Sequence, residues 1–196
     1  MGLEEYLRIM DAWRGANIPE GYTFASYEDL VLDRGTTEVS RALTPEQRLL
    51  VRDYLRTANP KLKECYYNAQ RLALYAPDRF TYREGWAQGS TLAVQHAWCV
   101  LDGECVIDLT WRHGKFRERA YATTARRVRG VLPEGWEYRG ISYSKEAIEE
   151  RIYSFREWAS FHDDWRHGHP LLKTPRKSPR SIELATRVTE MRMARE

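Results

Sequence analysis

The tightest constraint on how this chain folds is the run from Val94 to Leu109, VQHAWCVLDGECVIDL, in which two apolar stretches flank an Asp-Gly pair. Asp-Gly between such stretches signals a β-hairpin, because glycine adopts the left-handed backbone that a tight turn needs. Reading Leu101-Asp102-Gly103 as a three-residue loop sets Val100 opposite Glu104 and His96 opposite Asp108. Directly opposed side chains share a face with Cβ atoms about 5 Å apart, so an imidazole reaches a carboxylate. The other face then carries Ala97, Cys99, Cys105, Ile107 and Leu109, the apolar set that a sheet buries. A two-residue turn would instead pair His96 with Leu109 and send Asp108 to the opposite face. The turn therefore decides whether the two polar side chains meet.

A third polar residue stands upstream. Cys65 follows the helix break Asn59-Pro60 and opens, or lies near the start of, a segment whose Leu62, Ala69, Leu72, Ala73 and Ala76 keep helical spacing. Near a helix N-terminus the peptide dipoles favour negative charge, and a neighbouring imidazolium adds to this, so a thiolate is accessible there. The same position offers backbone N–H groups to the oxyanion of a tetrahedral intermediate. Cys65, His96 and Asp108 are thus the expected nucleophile, base and orienting acid. The competing expectation is plain packing, since Cys65 also falls on the apolar stripe of its helix and cysteine packs as a small hydrophobe.

The stretch from Glu64 to Trp111 resembles the transglutaminase-like branch of the papain-like cysteine enzymes. Its pieces are the helix Cys65-Tyr66-Tyr67-Asn68-Ala69, the glycine strand Tyr82-Arg83-Glu84-Gly85-Trp86, the histidine strand His96-Ala97-Trp98 and the aspartate in Ile107-Asp108-Leu109-Thr110. The resemblance covers about a quarter of the chain. It implies an α+β, papain-like or transglutaminase-like fold with helices packed around a central antiparallel sheet. It also implies acyl transfer through a Cys65 thioester, on a protein, peptide or small amide substrate and without a cofactor. Trp86, Trp98, Tyr66 and Asn68 are the substrate contacts expected from it. Two departures are Glu64 before the cysteine, where related enzymes often have a small or polar residue, and Tyr66 after it in place of tryptophan. Asn59 and Tyr54 are the upstream candidates for a side chain that assists the oxyanion.

At 196 residues the chain can bury a substantial core in one domain. Residues 1–172 read as the catalytic domain, and 173–196 as a basic, proline-interrupted linker followed by a helix with Leu184, Val188 and Met191. No apolar run approaches bilayer-spanning length, and the opening Met1-Gly2-Leu3-Glu4-Glu5-Tyr6 lacks the basic-then-apolar order of a secretory signal, so no membrane partner and a cytoplasmic place are expected. Three cysteines fit free thiols in a reducing compartment, with Cys99 and Cys105 facing each other across the hairpin. Elsewhere, Leu3, Tyr6, Leu7 and Met10 mark a first helix. Thr44, Pro45 and Gln47 form the opening of another, with Leu50, Val51, Tyr54 and Leu55 on its apolar face. Trp136 to Tyr143 reads as a strand, and Ser144 caps a helix carrying Ile148, Ile152, Phe155 and Ala159.

Two other groups of residues bear on function. Arg112, Lys115, Arg117, Arg119, Arg126, Arg127 and Arg129 stand against the single acid Glu118 between positions 112 and 129, in a chain whose net charge is only +3. Such a cluster suits an anionic or nucleic-acid partner, and it supports the alternative expectation of a non-catalytic binding module for nucleic acid or a protein. His162, His167 and His169, with Asp163 and Asp164 among them, have the donors for a metal but not the spacing of a zinc finger, and no metal is expected.

Overall fold

In a computed structural model, residues 1–14, 18–89, 92–113, 126–156 and 158–176 are described. Among them the chain forms five α-helices and a six-stranded sheet in which every pairing is antiparallel. Helices α1 (Leu3–Arg14), α2 (Tyr27–Arg34), α3 (Pro45–Thr57) and α4 (Cys65–Tyr75) precede the central strands, with the short edge strand β1 (Thr36–Thr37) between α2 and α3. Strands β2 (Phe80–Gln88), β3 (Ala93–Leu101), β4 (Cys105–His113), β5 (Arg126–Arg129) and β6 (Glu137–Tyr143) are followed by α5 (Lys145–Phe155). The strands lie in the order β1-β6-β2-β3-β4-β5, so the last strand pairs with β2 rather than with its sequence neighbour. The class is α+β.

Local chemistry explains where the helices start. Thr44 and Gln47 form a reciprocal capping box with Pro45 in the first turn of α3, and Ser144 accepts from the Ala147 N–H at the start of α5. Ser26 caps α2 by accepting from the Asp29 N–H. Helix α5 stops at Phe155, where Arg156 turns into a left-handed conformation, so Ala159 lies beyond it. Leu62 likewise precedes α4 and is exposed.

The two sheet faces differ in character. One carries Phe80, Tyr82, Ala97, Cys99, Leu101, Cys105, Ile107 and Leu109, which pack with Val51 and Tyr54 of α3, with Cys65, Ala69, Leu72 and Ala73 of α4, and with Ile148 of α5. Farther along this face Trp86 and Ala93 pack with Leu3 and Leu7 of α1 and Val31 of α2. The opposite face holds Ala87, Trp98, Val100, Val106, Val128 and Tyr138, flanked by Trp111, Leu132 and Trp136. Each large apolar side chain removed from water here contributes about 1.5–3 kcal/mol.

The hairpin corrects the expected register while keeping its consequence. Asp102 and Gly103 both have positive φ, and the Glu104 N–H returns to the Leu101 carbonyl, so the two-residue turn is followed by one extra residue, Glu104. The first ladder pair is Leu101 with Cys105, followed by Val100 with Val106 and Cys99 with Ile107. The register is thus two residues from that expected. Because side chains alternate with a period of two, His96 and Asp108 still share a face, as diagonal rather than direct neighbours. Cys99 faces Ile107 instead of Cys105, and all three cysteines are free thiols.

The expected division at residue 172 falls inside a short 3₁₀ turn (Pro170–Lys173). Beyond it Arg176 makes a two-pronged ion pair with Asp29 of α2 at 2.8 and 2.6 Å, so the first residues of the basic segment dock on the domain. Residues 177–196, including the expected C-terminal helix, lie outside the described residues, as do positions 114–125 of the basic segment. No helix among the described residues is long and apolar enough to cross a membrane.

Candidate active site

The site forms where β4 parts from β3. Their recorded pairing ends at Cys99 with Ile107, although β3 remains paired with β2 as far as Ala93, and the β4–β5 ladder is irregular between Asp108 and Arg112. The β4 backbone therefore offers N–H groups that no strand takes up. Asp108 accepts them: its Oδ1 receives the N–H of Thr110 at 2.8 Å and of Trp111 at 2.9 Å. Its Oδ2 receives the Tyr138 hydroxyl at 2.9 Å and is paired with His96 Nε2 at 2.7 Å. The carboxylate is only 1% exposed and has four donors, which is how a buried anion is tolerated.

His96, 5% exposed, stands in an aromatic enclosure. Its ring lies 5.1 Å from Trp111 edge-on, 6.5 Å from Trp98 in a near-parallel arrangement and 6.4 Å from Tyr138. Burial by itself would lower its pKa. The Asp108 charge, the hydrogen bond to Asp108 and the hydrogen-bonding and charge interactions with Cys65 outweigh burial and push it up to about 10. Burial likewise opposes charge on Asp108, but His96 and the two backbone donors hold it below the usual carboxylate range. At neutral pH the pair is imidazolium and carboxylate.

Cys65 is the first residue of α4 and is 8% exposed. Glu64, in the N-cap position, is exposed and makes no side-chain cap to the helix, so its carboxylate does not occupy the first-turn N–H groups. Asn68, one turn on, fixes the loop that leads into the helix. Its Oδ1 accepts the Lys61 N–H at 2.9 Å, and its Nδ2 donates to the Lys61 carbonyl at 2.7 Å and to Thr110 Oγ1 at 2.6 Å. The helix carrying the cysteine is thereby tied to the bulge carrying the aspartate.

A second buried carboxylate supports the same helix. Glu84 on β2 accepts from the Ser160 hydroxyl, from the N–H groups of Phe161 at 2.9 Å and His162 at 3.0 Å, and from the Tyr82 hydroxyl at 2.9 Å. Gln70 of α4 donates to the Ala159 carbonyl at 2.9 Å, and Trp158 meets Tyr67 edge-on at 5.6 Å. Residues 158–162 are thus strapped across β2 and the first turns of α4.

The residues expected to touch substrate are placed differently from one another. Trp86 is packed against α1 and α2, with its ring 5.8 Å from His162. Trp98 is fully buried beneath His96 and beside Tyr138, and Asn68 is spent on the loop brace. All three are buried, Trp98 and Asn68 beside the site and Trp86 in the cluster with α1 and α2. Tyr66 is half-buried beside Cys65. Burial, then the nearby Glu84 and Cys65 charges, push its pKa upward, and it hydrogen-bonds Ser160. Of the two upstream candidates, Tyr54 lies in the core against Tyr75 and Asn59 is exposed.

The downstream histidines are each engaged with a local partner. His162 is buried, stacks on Tyr27 at 4.7 Å and bonds the Tyr143 hydroxyl at 3.1 Å, while His167 pairs with Asp164 and His169 with Tyr27. Among the described residues, no three His, Cys, Asp or Glu side chains converge to hold a metal.

No family model, curated protein or solved structure matches the chain. Tyr138 and Thr110 were not singled out by sequence reasoning. Tyr138 occupies an inward position in the expected strand from Trp136 to Tyr143, which is a signal of burial but not of its partner.

Proposed function

We propose that the chain is a cysteine-dependent acyl-transfer enzyme with a papain-like or transglutaminase-like arrangement of Cys65, His96 and Asp108. The observation that carries this reading is the 2.7 Å pair of His96 and Asp108 with Cys65 near enough for its hydrogen-bonding and charge interactions to help raise the imidazole pKa. A packing cysteine needs no buried ion pair beside it, and burying such a pair is unfavourable unless its hydrogen bonds are all made.

The Cys65 sulfur attacks the carbonyl carbon of an amide or ester, forming a C–S bond and a tetrahedral oxyanion, which first-turn N–H groups of α4 stabilise. His96 gives its proton to the leaving amine or alcohol as the bond from carbonyl carbon to that group breaks. Water or an amine then attacks the thioester, His96 takes the proton of the attacking group, and the C–S bond breaks to restore the thiolate. Asp108 keeps Nε2 occupied throughout, so that the second ring nitrogen serves the sulfur. Water as acceptor gives a peptidase or amidase, and an amine gives a transferase.

An activated ester such as p-nitrophenyl acetate tests this without knowledge of the natural substrate. The expected result is a burst of nitrophenol and an acetyl adduct on Cys65 alone, absent from the Cys65→Ala and His96→Ala proteins. Acetylation spread evenly over surface lysines, with Cys65 unmodified, refutes the proposal.

A further inference from the structure

We propose that Tyr138 is a positioning residue for this centre: its hydroxyl fixes the Asp108 oxygen to which His96 binds, and so sets which ring nitrogen faces Cys65. The inference rests on the proposed function for the role of Cys65 and on the coordinates for the rest. Tyr138 belongs to β6, which β2 and β3 separate from β4, and it reaches Asp108 only because β6 pairs with β2 and the intervening residues are small. Ala87 lies directly opposite Tyr138, and Gly85 is paired with both His96 and Gly140. A Cβ on Gly85 would stand 2.2 Å from the Arg139 carbonyl oxygen, and one on Gly140 would stand 2.6 Å from the Trp98 ring. This narrow lane of missing side chains lets Tyr138 and Trp98 lie across the sheet.

At its end the Tyr138 hydroxyl and His96 Nε2 meet the same oxygen, Oδ2, at 2.9 and 2.7 Å, while Oδ1 is held by two backbone N–H groups. Two donors converging on one oxygen define the plane of the carboxylate and the direction from which the imidazole approaches. With Nε2 so committed, Nδ1 is the ring nitrogen left for the cysteine. The hydroxyl also shares the charge on Oδ2, and so moderates how tightly Asp108 holds a proton on His96. The ionisable groups that interact with the pair among the described residues are Cys65 from α4, Tyr138 from β6 and, from the other face of the sheet, Cys99 of β3. Burial, and then the Asp108 charge, push the pKa values of both Tyr138 and Cys99 upward.

The test is the titration of the His96 ring followed by NMR in the full chain, with Cys65 acetylation measured alongside. Tyr138→Phe keeps the ring volume and removes one donor from Oδ2. The midpoint is expected to rise by about one pH unit, since one unit corresponds to roughly the strength of a modest charge-assisted hydrogen bond. Cys65 acetylation at neutral pH is expected to fall about tenfold. A fluorinated tyrosine at position 138, a stronger donor of nearly the same shape, should move the midpoint downward, and it gives the answer if the phenylalanine variant does not fold. A purely structural tyrosine leaves the midpoint in place in both proteins, and that result overturns the proposal. Failure of the wild-type chain to acetylate at Cys65 overturns the proposed function instead, and the titration still judges Tyr138 on its own.

Discussion

Asn68 on α4 donates a 2.6 Å hydrogen bond to Thr110 on β4, joining the helix that begins with Cys65 to the strand bulge that holds Asp108. Truncating it leaves the buried Thr110 hydroxyl and the partly buried Lys61 N–H and carbonyl without their partner. Asn68→Ala should therefore lower stability by about 2–4 kcal/mol, read as a shift of the urea midpoint without a change of slope. It should also slow Cys65 acetylation under conditions where the protein remains folded. An unchanged midpoint would mean that water replaces the amide and that the brace has no structural role.

The parts of this site that were legible in the sequence are those that local patterns encode. The side-chain alternation around Asp102-Gly103 puts His96 and Asp108 on one face, and it does so even though the extra residue Glu104 shifts the register by two, because the shift is even. Capping chemistry likewise marked the starts of α3 and α5 at Thr44 and Ser144. Helix α2 went unread, although Ser26 with Asp29 three residues on is a capping signal, because eight residues give too little periodicity to recognise. The partners Tyr138 and Glu84 depend on which strands are neighbours in space. Beside its strand neighbour Tyr82, the other three Glu84 donors come from residues 76 to 78 positions away, and no local spacing encodes those contacts.

Substitutions of the three central residues should separate chemistry from folding in a graded way. Cys65→Ala removes only a sulfur from the edge of the core and is expected to cost about 1 kcal/mol of stability while abolishing acetylation. His96→Ala leaves Asp108 buried without its counter-charge, so it should cost about 3 kcal/mol or more as well as activity. Asp108→Asn keeps a hydrogen-bonding partner for the ring and should retain a small fraction of the rate. Thermal melts beside burst amplitudes check the order, and a Cys65→Ala protein with full burst amplitude would exclude this nucleophile.

The small residues beneath the site should tolerate nothing larger. Gly85→Ala places a methyl 2.2 Å from the Arg139 carbonyl oxygen and 2.5 Å from the Gly140 Cα, both backbone atoms that can yield only if β2 and β6 separate. We expect a loss of about 3 kcal/mol, at the upper end for overpacking, together with reduced acetylation, because Gly85 is also the ladder partner of His96. A wild-type melting temperature for Gly85→Ala would show that the strands are not packed this closely.

Stability should depend on pH with a maximum near neutrality. His96 has an ordinary value of 6.5 and a folded value of about 10, so the folded state binds more protons in between. Its contribution is complete below about pH 6.5 and is lost as pH rises toward about 10. Asp108, the other half of the same pair, is held below 3.8, so its contribution is present above that value and lost as pH falls beneath it. His162 is held below 6.5, chiefly by burial, and the unfolded chain takes up its proton first, so stability also declines on moderate acidification. Urea midpoints measured from neutral to about pH 10 should fall steadily in the wild-type chain, and more weakly in a His96→Asn, Asp108→Asn double variant. Equal slopes in the two proteins would show that the pair does not titrate as placed.

Glu84 offers a test of the strap that crosses α4. Its two oxygens accept from the Ser160 and Tyr82 hydroxyls and from the Phe161 and His162 N–H groups, one hydroxyl and one N–H on each oxygen. Glu84→Gln preserves volume but turns an NH₂ group toward one of the two backbone N–H groups, so at least that hydrogen bond fails and the hydroxyl on the same side must turn round to accept. The expected loss is about 2–4 kcal/mol, and amide hydrogen exchange should quicken first at Phe161 and His162, ahead of the ladder between β2 and β3. Because Trp158 and Ala159 contact Tyr67 and Gln70 of α4, the released strap should also change the rate at which iodoacetamide reaches Cys65. Exchange that quickens uniformly along the chain would instead mean that Glu84 supports global folding and that residues 158–162 do not open as a separate unit.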